Sequence, residues 1–255
     1  MRALVVIPTF NEAESITEAL DRALAADPRV DVLVVDDGSP DGTAKMVLDR
    51  AADEPRVHLM ERSGKQGLGA AYRAGFGWGL ERGYDALVEM DADLSHPPER
   101  LPALLDGLAE ADLVIGSRYV PGGRTVNWSR LREAISRGGN AYVRLALGMP
   151  VHDCTAGYRA YRREVLEELP VAAVRSNGYC FQVEMAHKTW QEGFRVVEVP
   201  ITFTERASGV SKMSKQIVAE ALLRVTQWAL TGGRRRAERP HPRSVAAAAG
   251  GRPGR

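Results

Sequence analysis

From Ala3 to Ile115, five short apolar runs alternate with four segments whose apolar residues recur at helical spacing, and this limits the chain to few folds. The runs are Ala3 to Ile7, Val32 to Val35, Val57 to Met60, Leu87 to Met90 and Leu113 to Ile115, followed by Pro, Asp, Glu or Gly. Such short runs read as buried strands. Between them, Glu12 to Ala26 carries Ile16, Ala19, Leu20, Ala23 and Leu24 on one face of a helix. Thr43 to Ala52, Gly67 to Leu80 and Leu101 to Leu108 read the same way. Continuously apolar strands alternating with helices predict an α/β fold, with a mostly parallel central sheet and helices on both faces.

Three polar clusters then fall at the ends of three strands: Pro8 to Glu12, Asp36 to Asp41, and Asp91 to Ser95. Loops on one edge of one sheet converge, and parallel sheets bind ligands at that edge. Asp91-Ala92-Asp93 puts two carboxylates one residue apart at a buried strand's end, a costly arrangement unless a cation sits between them. Mg²⁺ is typically held by one or two carboxylates plus substrate phosphates. A metal-assisted site for a phosphate-bearing substrate is therefore expected. Asp36 and Asp37 can accept hydrogen bonds from a nucleotide's base or ribose. Alternatively, one of them serves an Asx-type turn, while Asp41 caps the next helix. Gly64-Lys65-Gln66-Gly67-Leu68-Gly69 fits neither the dinucleotide fingerprint nor the P-loop spacing and reads as a loop entering a close-packed helix.

The second half is less regular. Tyr119 to Arg130 is a polar loop, Leu131 to Leu147 an Arg-rich helix, Phe181 to Gln191 another helix, and Arg195 to Phe203 a strand. From Gln216 to Leu230, apolar residues form one helical face with a Trp near its end, facing core or a membrane interface. Arg118, Arg132, Arg206 and Lys212 are the cations placed to meet phosphate groups. Small residues between Arg206 and Lys212 suit a loop that closes over an anion.

No run approaches the roughly 18 apolar residues of a membrane span. No signal-peptide pattern opens the chain. Two cysteines are too few for a disulfide framework, so a cytoplasmic protein is expected. The net charge of +1 conceals a basic tail: residues 232–255 hold seven Arg and one Glu, leaving the rest mildly acidic. That tail is too poor in bulky apolar residues to order itself and reads as disordered beside one domain spanning 1–231. It can touch anionic lipid, and nucleic acid is not an expected partner.

The motifs PTFNE (8–12), VVDDGSPDGT (34–43), GLGAAYRAGF (67–76), EMDADLSHPP (89–98), GSRYVPGG (116–123), LREAISRGGN (131–140), DCTAGYRAYR (153–162), GYCFQVEM (178–185) and VPITFTERASGVSKM (199–213) occur in this order. Together they resemble family 2 glycosyltransferases of the GT-A fold, specifically dolichol-phosphate or polyprenol-phosphate mannose synthases, over about residues 2 to 230. The resemblance implies transfer of mannose from GDP-mannose to a polyprenyl phosphate, with inversion and with Mg²⁺ or Mn²⁺. By matching motif, Pro8, Phe10, Glu12, Val35 and Asp37 would hold the nucleotide. Asp91 and Asp93 would bind the metal, with Ala92 packed nearby and Asp93 also counted as catalytic. Arg118 and Arg132 would meet the lipid phosphate and diphosphate, and Arg206 and Lys212 would sit on a closing loop. Ser95 stands where relatives often carry Gln as a further metal ligand, and its shorter hydroxyl can act through water. Docking at the cytoplasmic face of a membrane would come from the protein's own surface or from a membrane-protein partner. Two competing readings are transfer from a UDP-sugar such as UDP-glucose, and a non-catalytic sugar-nucleotide-binding subunit; the paired carboxylates and loop cations favour an enzyme.

Overall fold

The computed structural model describes residues 1–169, 171, 174, 176, 178–205 and 215–231, with backbone alone for 215–221. Arg206, Lys212 and the tail lie outside them. The first half follows the periodicity: β1 (Ala3–Thr9), α1 (Ile16–Ala26), β2 (Val30–Asp36), α2 (Thr43–Asp53), β3 (Val57–Glu61), α3 (Leu68–Glu81), β4 (Ala86–Glu89), α4 (Leu101–Gly107) and β5 (Leu113–Ser117). The second half adds β6 (Arg124–Val126), α5 (Arg130–Leu147), β7 (Arg159–Arg162), α6 (Arg163–Glu168), α7 (Tyr179–Gln191), β8 (Val196–Pro200), β9 (Thr202–Thr204) and α8 (Lys215–Leu230).

Among the described residues, seven strands form one sheet in the order β3-β2-β1-β4-β7-β5-β8, and β6 pairs with β9 in a second, two-stranded sheet. Six of the seven run parallel; β7 is antiparallel to both of its neighbours. Side chains alternate across the strands. Ala3, Val5 and Ile7 face a core shared with Ile16, Leu20, Val47, Leu101 and Leu104 of α1, α2 and α4. Leu4 and Val6 face the opposite core, with Tyr72 and Phe76 of α3, Val143 of α5 and Phe181 of α7. The expectation of a parallel sheet covered on both faces is borne out.

The glycines of α3 explain how close this helix comes to the sheet. A Cβ at Gly75 would lie 2.4 Å from Val6 Cγ1, and one at Gly79 would lie 2.7 Å from Leu87 Cδ2. No side chain fits at either point, so α3 rests its backbone directly on β1 and β4.

Several boundaries differ from the sequence reading. The helix expected from Glu12 begins at Ile16, because the backbone of Glu12 first turns to accept from Ser15 and Ile16. The loop 119–130 contains β6. The strand expected from Arg195 to Phe203 divides at Ile201, whose amide bonds to Ser117, and β9 then joins β6 instead of the main sheet. Among the described residues, no helix is long and apolar enough to cross a membrane.

Candidate active site

Strand β1 lies between β2 and β4, so the chain's path reverses across it, and a crevice opens beyond the carboxyl ends of these three strands. All three polar clusters meet there. On the β1–β2 side, the Asp37 amide donates to Thr9 O at 3.0 Å and the Asn11 amide to Ser39 Oγ at 3.0 Å. The adjacent acids separate by role. Asp36 is fully buried and accepts from Thr9 Oγ1 at 2.7 Å, Ser39 Oγ at 2.6 Å and the Ser39 amide at 2.8 Å. It therefore holds the turn. Asp37 faces Arg62 at 3.2 Å and accepts from the Gln66 amide at 3.3 Å. Asp41 accepts from the Thr43 amide and hydroxyl and from the Ala13 amide, tying the start of α2 to the loop after β1.

The loop between β3 and α3, which has no phosphate-loop spacing, nonetheless belongs to this edge. Gln66 reaches Asp37, and the Lys65 ammonium lies 4.6 Å from the centre of the Phe10 ring. Pro8 and Glu12 are half-buried beside them. Val35 is wholly buried in the core, so its side chain shapes the crevice from beneath.

On the β4 side, Ala92 is packed into the core while Asp91 and Asp93 stay partly accessible. Leu94 adopts φ +61°, a left-handed conformation uncommon for a branched residue, and the Ser95 amide donates to Asp93 Oδ1 at 3.1 Å. The turn thus holds Asp93 in place. The Asp91 amide donates to His96 Nδ1 at 3.1 Å, which makes that nitrogen an acceptor, and the Asp91 carboxylate lies 3.9 Å from it. Ser95 is buried, and its hydroxyl has no hydrogen-bond partner among the described residues. Two carboxylates and an orphaned hydroxyl on one turn are a donor set that fits a hard divalent cation. No group of three His, Cys, Asp or Glu gathers among the described residues, so the remaining oxygen ligands would come from a bound molecule or water. Just before the turn, burial pushes the Glu89 carboxyl up to about 8, against the pull of Arg159 on the neighbouring strand.

Arg118 is 5% exposed. Its Nε and Nη2 donate to the two oxygens of Asp153 at 2.7 and 2.6 Å, its amide donates to Asp153 at 2.9 Å, and Nη2 also reaches Thr155 Oγ1 at 2.9 Å. Burial alone would favour the neutral guanidine; the Asp153 carboxylate outweighs it and holds the pKa above its ordinary value. Glu198 accepts from the amides of His152 and Asp153, fixing the loop that carries the carboxylate. Arg132, in the first turn of α5, pairs with Glu205. Trp128 sits between the arginines, with the Arg132 and Arg118 guanidinium carbons 4.2 and 5.3 Å from its ring centre.

These side chains form the head of a cavity of about 100 Å³ whose walls include Ile135, Tyr142, Val143, Val183, Leu222 and Val225. The groove is cationic at one end and apolar along its length. Its head lies close to the acidic turn: Phe203 is edge-on both to Trp128 at 5.6 Å and to His96 at 5.7 Å. Tyr179 also lies within electrostatic reach of Arg118, Arg132, Asp91 and Glu205. The structure thus gathers Asp37, Asp91, Asp93, Ser95, Arg118 and Arg132 along one edge. The sequence reading assigned no role to Trp128, His96 or Glu205, nor to Asp153, although Asp153 opens one of the recognised motifs.

Residues 4–170 match the model of glycosyl transferase family 2. Over 233 residues the chain is 57% identical to the polyprenol monophosphomannose synthase of Mycolicibacterium smegmatis, across 91% of this chain and 88% of that one. It is also 57% identical to the undecaprenyl-phosphate mannosyltransferase of Micrococcus luteus, across 90% and 95%. It is 37% identical to the dolichol-phosphate mannosyltransferase of Pyrococcus furiosus, spanning 64% of that longer protein. A solved structure of glucosyl-3-phosphoglycerate synthase from Mycobacterium tuberculosis, with Mn²⁺, UDP-glucose and phosphoglyceric acid, shares the fold at a TM-score of 0.64 and 22% identity, over 89% of this chain and 80% of that one.

Proposed function

Because the chain belongs to glycosyl transferase family 2 and has the GT-A-like fold, we propose that it transfers mannose from GDP-mannose to a polyprenyl phosphate, inverting the anomeric centre. The names of the two 57%-identical relatives support the sugar and the acceptor class. The observation that carries the reading is the groove. An apolar channel headed by Arg118 and Arg132, one aromatic ring away from the acidic turn, suits a lipid that must bring its phosphate to a sugar diphosphate.

In this reading, Asp37 and the Phe10–Lys65 pair receive the nucleoside, with Pro8 and Glu12 alongside. Asp91, Asp93 and Ser95 hold the divalent cation, Mg²⁺ or Mn²⁺, which when bound supplies Lewis-acid stabilisation of the charge on the leaving diphosphate. The isoprenoid lies along the apolar walls, and the phosphate meets the cationic head. A phosphate oxygen attacks the anomeric carbon as the bond to the diphosphate breaks, and GDP departs with the electron pair. The nucleophile is already ionised at neutral pH, so no side chain has to remove a proton. Asp153 fixes Arg118 in advance, so the cation does not reorganise during the reaction. Arg206 and Lys212 are proposed to add positive charge at the diphosphate.

The same face offers a route to the membrane. Leu131, Ile135 and Leu145 of α5 and Leu222, Leu223 and Leu230 of α8 are exposed, and the two helices pack together at the groove. Exposed arginines such as Arg130 and Arg137 flank them on α5. Apolar residues beside cations fit the cytoplasmic face of an anionic bilayer, from which a polyprenyl phosphate enters the groove directly.

A donor panel tests the proposal: GDP-mannose, UDP-glucose and UDP-N-acetylglucosamine with a short polyprenyl phosphate, with and without EDTA. Product from GDP-mannose alone, abolished by chelation, is expected. Preference for a UDP-sugar would overturn the donor assignment. Donor binding without turnover from any of the three would indicate a binding subunit.

A further inference from the structure

We propose that Trp128 binds the acceptor's phosphate through its indole N–H; this rests on the acceptor reading above. The indole nitrogen of Trp128 is buried at the head of the groove, with no acceptor among the described residues. The adjacent Arg132 Nε is buried and unmatched in the same way. Buried indole N–H groups nearly always find a partner, and leaving one without it is costly. One edge of each arginine is already engaged, Nε and Nη2 of Arg118 by Asp153 and Nη1 of Arg132 by Glu205. Trp128 Nε1 and Arg132 Nε are thus a pair of buried, unmatched N–H donors on neighbouring side chains that line the apolar channel. One acceptor group with several oxygens satisfies both. A phosphate monoester has them, and charge-assisted bonds to it are stronger than bonds to a neutral oxygen. A lipid alcohol offers one neutral hydroxyl oxygen, without the charge or the spread of oxygens that lets a phosphate bond both donors strongly.

The ring has a second part in this geometry. Its face lies against both guanidinium groups and it crosses the Phe203 ring at 73°, so the position of the N–H is set by the arginines that would share the phosphate. Trp128 therefore discriminates the phosphorylated lipid from the free alcohol, and it does so within the acceptor site.

The experiment uses the full chain labelled with ¹⁵N at its four tryptophans. The Trp128 indole signal is assigned by its loss in Trp128→Phe or, should that variant not fold, by substituting the other three tryptophans in turn. On addition of a ten- to fifteen-carbon polyprenyl phosphate, the Trp128 indole proton is expected to move downfield, and the matching polyprenol should leave it unmoved. Trp128→Phe keeps an aromatic face beside the arginines but removes the N–H together with the fused five-membered ring that carries it, so the indole shift above is the readout specific to the N–H. The variant is expected to raise the acceptor KM on the order of tenfold, with kcat, GDP-mannose affinity and unfolding midpoint near wild type. Acceptor binding seen at other resonances without movement of Trp128, an equal shift with the alcohol, or an unchanged KM would each overturn the assignment while leaving the acceptor site standing. Absence of any acceptor binding to the wild-type protein would overturn both.

Discussion

Asp153→Asn should be far more damaging than its single-atom change implies. Asp153 is fully buried, and the partner it holds, Arg118, is 6% exposed at its side chain. Three hydrogen bonds join them. The amide can keep some of these contacts but cannot offset a buried positive charge. Removing one member of a buried ion pair costs about 3–5 kcal/mol. For a chain of this length each kcal/mol lowers Tm by roughly 2–4 °C, so a fall of about 6–20 °C is expected. Urea unfolding followed by circular dichroism gives the free energy, and thermal unfolding gives the midpoint. A double variant, Asp153→Leu with Arg118→Met, separates charge from packing. It removes both charges and should be less destabilised than Asp153→Asn alone, although it should lose acceptor binding. An Asp153→Asn protein within about 1 kcal/mol of wild type, or a double variant worse than the sum of the two single ones, would refute the view that Asp153 exists to hold a buried cation.

Other expectations follow from the same geometry. Asp93→Asn should retain the fold and lose metal-dependent transfer on the order of 10²-fold or more, checked by initial rates across a metal titration; near-normal rates would remove Asp93 from the metal site. Glu89 has its folded pKa raised from the usual 4.5 to about 8, so between those values the folded state holds a proton the unfolded chain has released, and stability should fall as pH rises through this window. Glu89→Gln should flatten that slope in chelator-treated protein, and an unchanged profile would exclude Glu89 as its source. Replacing Leu131, Leu223 and Leu230 with Gln should abolish co-sedimentation with anionic vesicles while sparing turnover of a detergent-soluble acceptor; full retention on vesicles would send the membrane contact elsewhere.

The first half of the fold was legible because its strands are buried on both faces and its helices on one, so burial and periodicity coincide. Residues such as Val5, Leu33 and Leu20 announce their surroundings locally. Strand β7 was not legible, because Arg159-Ala160-Tyr161-Arg162 has no apolar run. Arg159 is tolerated at full burial because its guanidinium donates to the backbone oxygens of Cys154, Ala156 and Gln182, acceptors that exist only once the chain has folded. The paired acids were legible as a site in which one of the two serves a turn, but not which one: Thr9, brought across from β1, and Ser39 together show that it is Asp36. Trp128 escaped notice inside a stretch whose neighbours are polar. Its meaning depends on two arginines and a phenylalanine that converge from different strands and helices.

The place of β7 in the sheet also constrains the order of assembly. Strand β5 makes no pairing with any strand that precedes it; both of its hydrogen-bonded neighbours, β7 and β8, come later in the chain. As the chain emerges during synthesis, β1 to β4 can pair among themselves as soon as they appear, whereas β5 must wait some forty residues for a partner. The seam between early and late strands runs between β4 and β7. The edge that carries Asp37, Asp91 and Asp93 is therefore complete before Arg118 has been locked by Asp153, and the crevice is finished from its acidic side toward its cationic, apolar side.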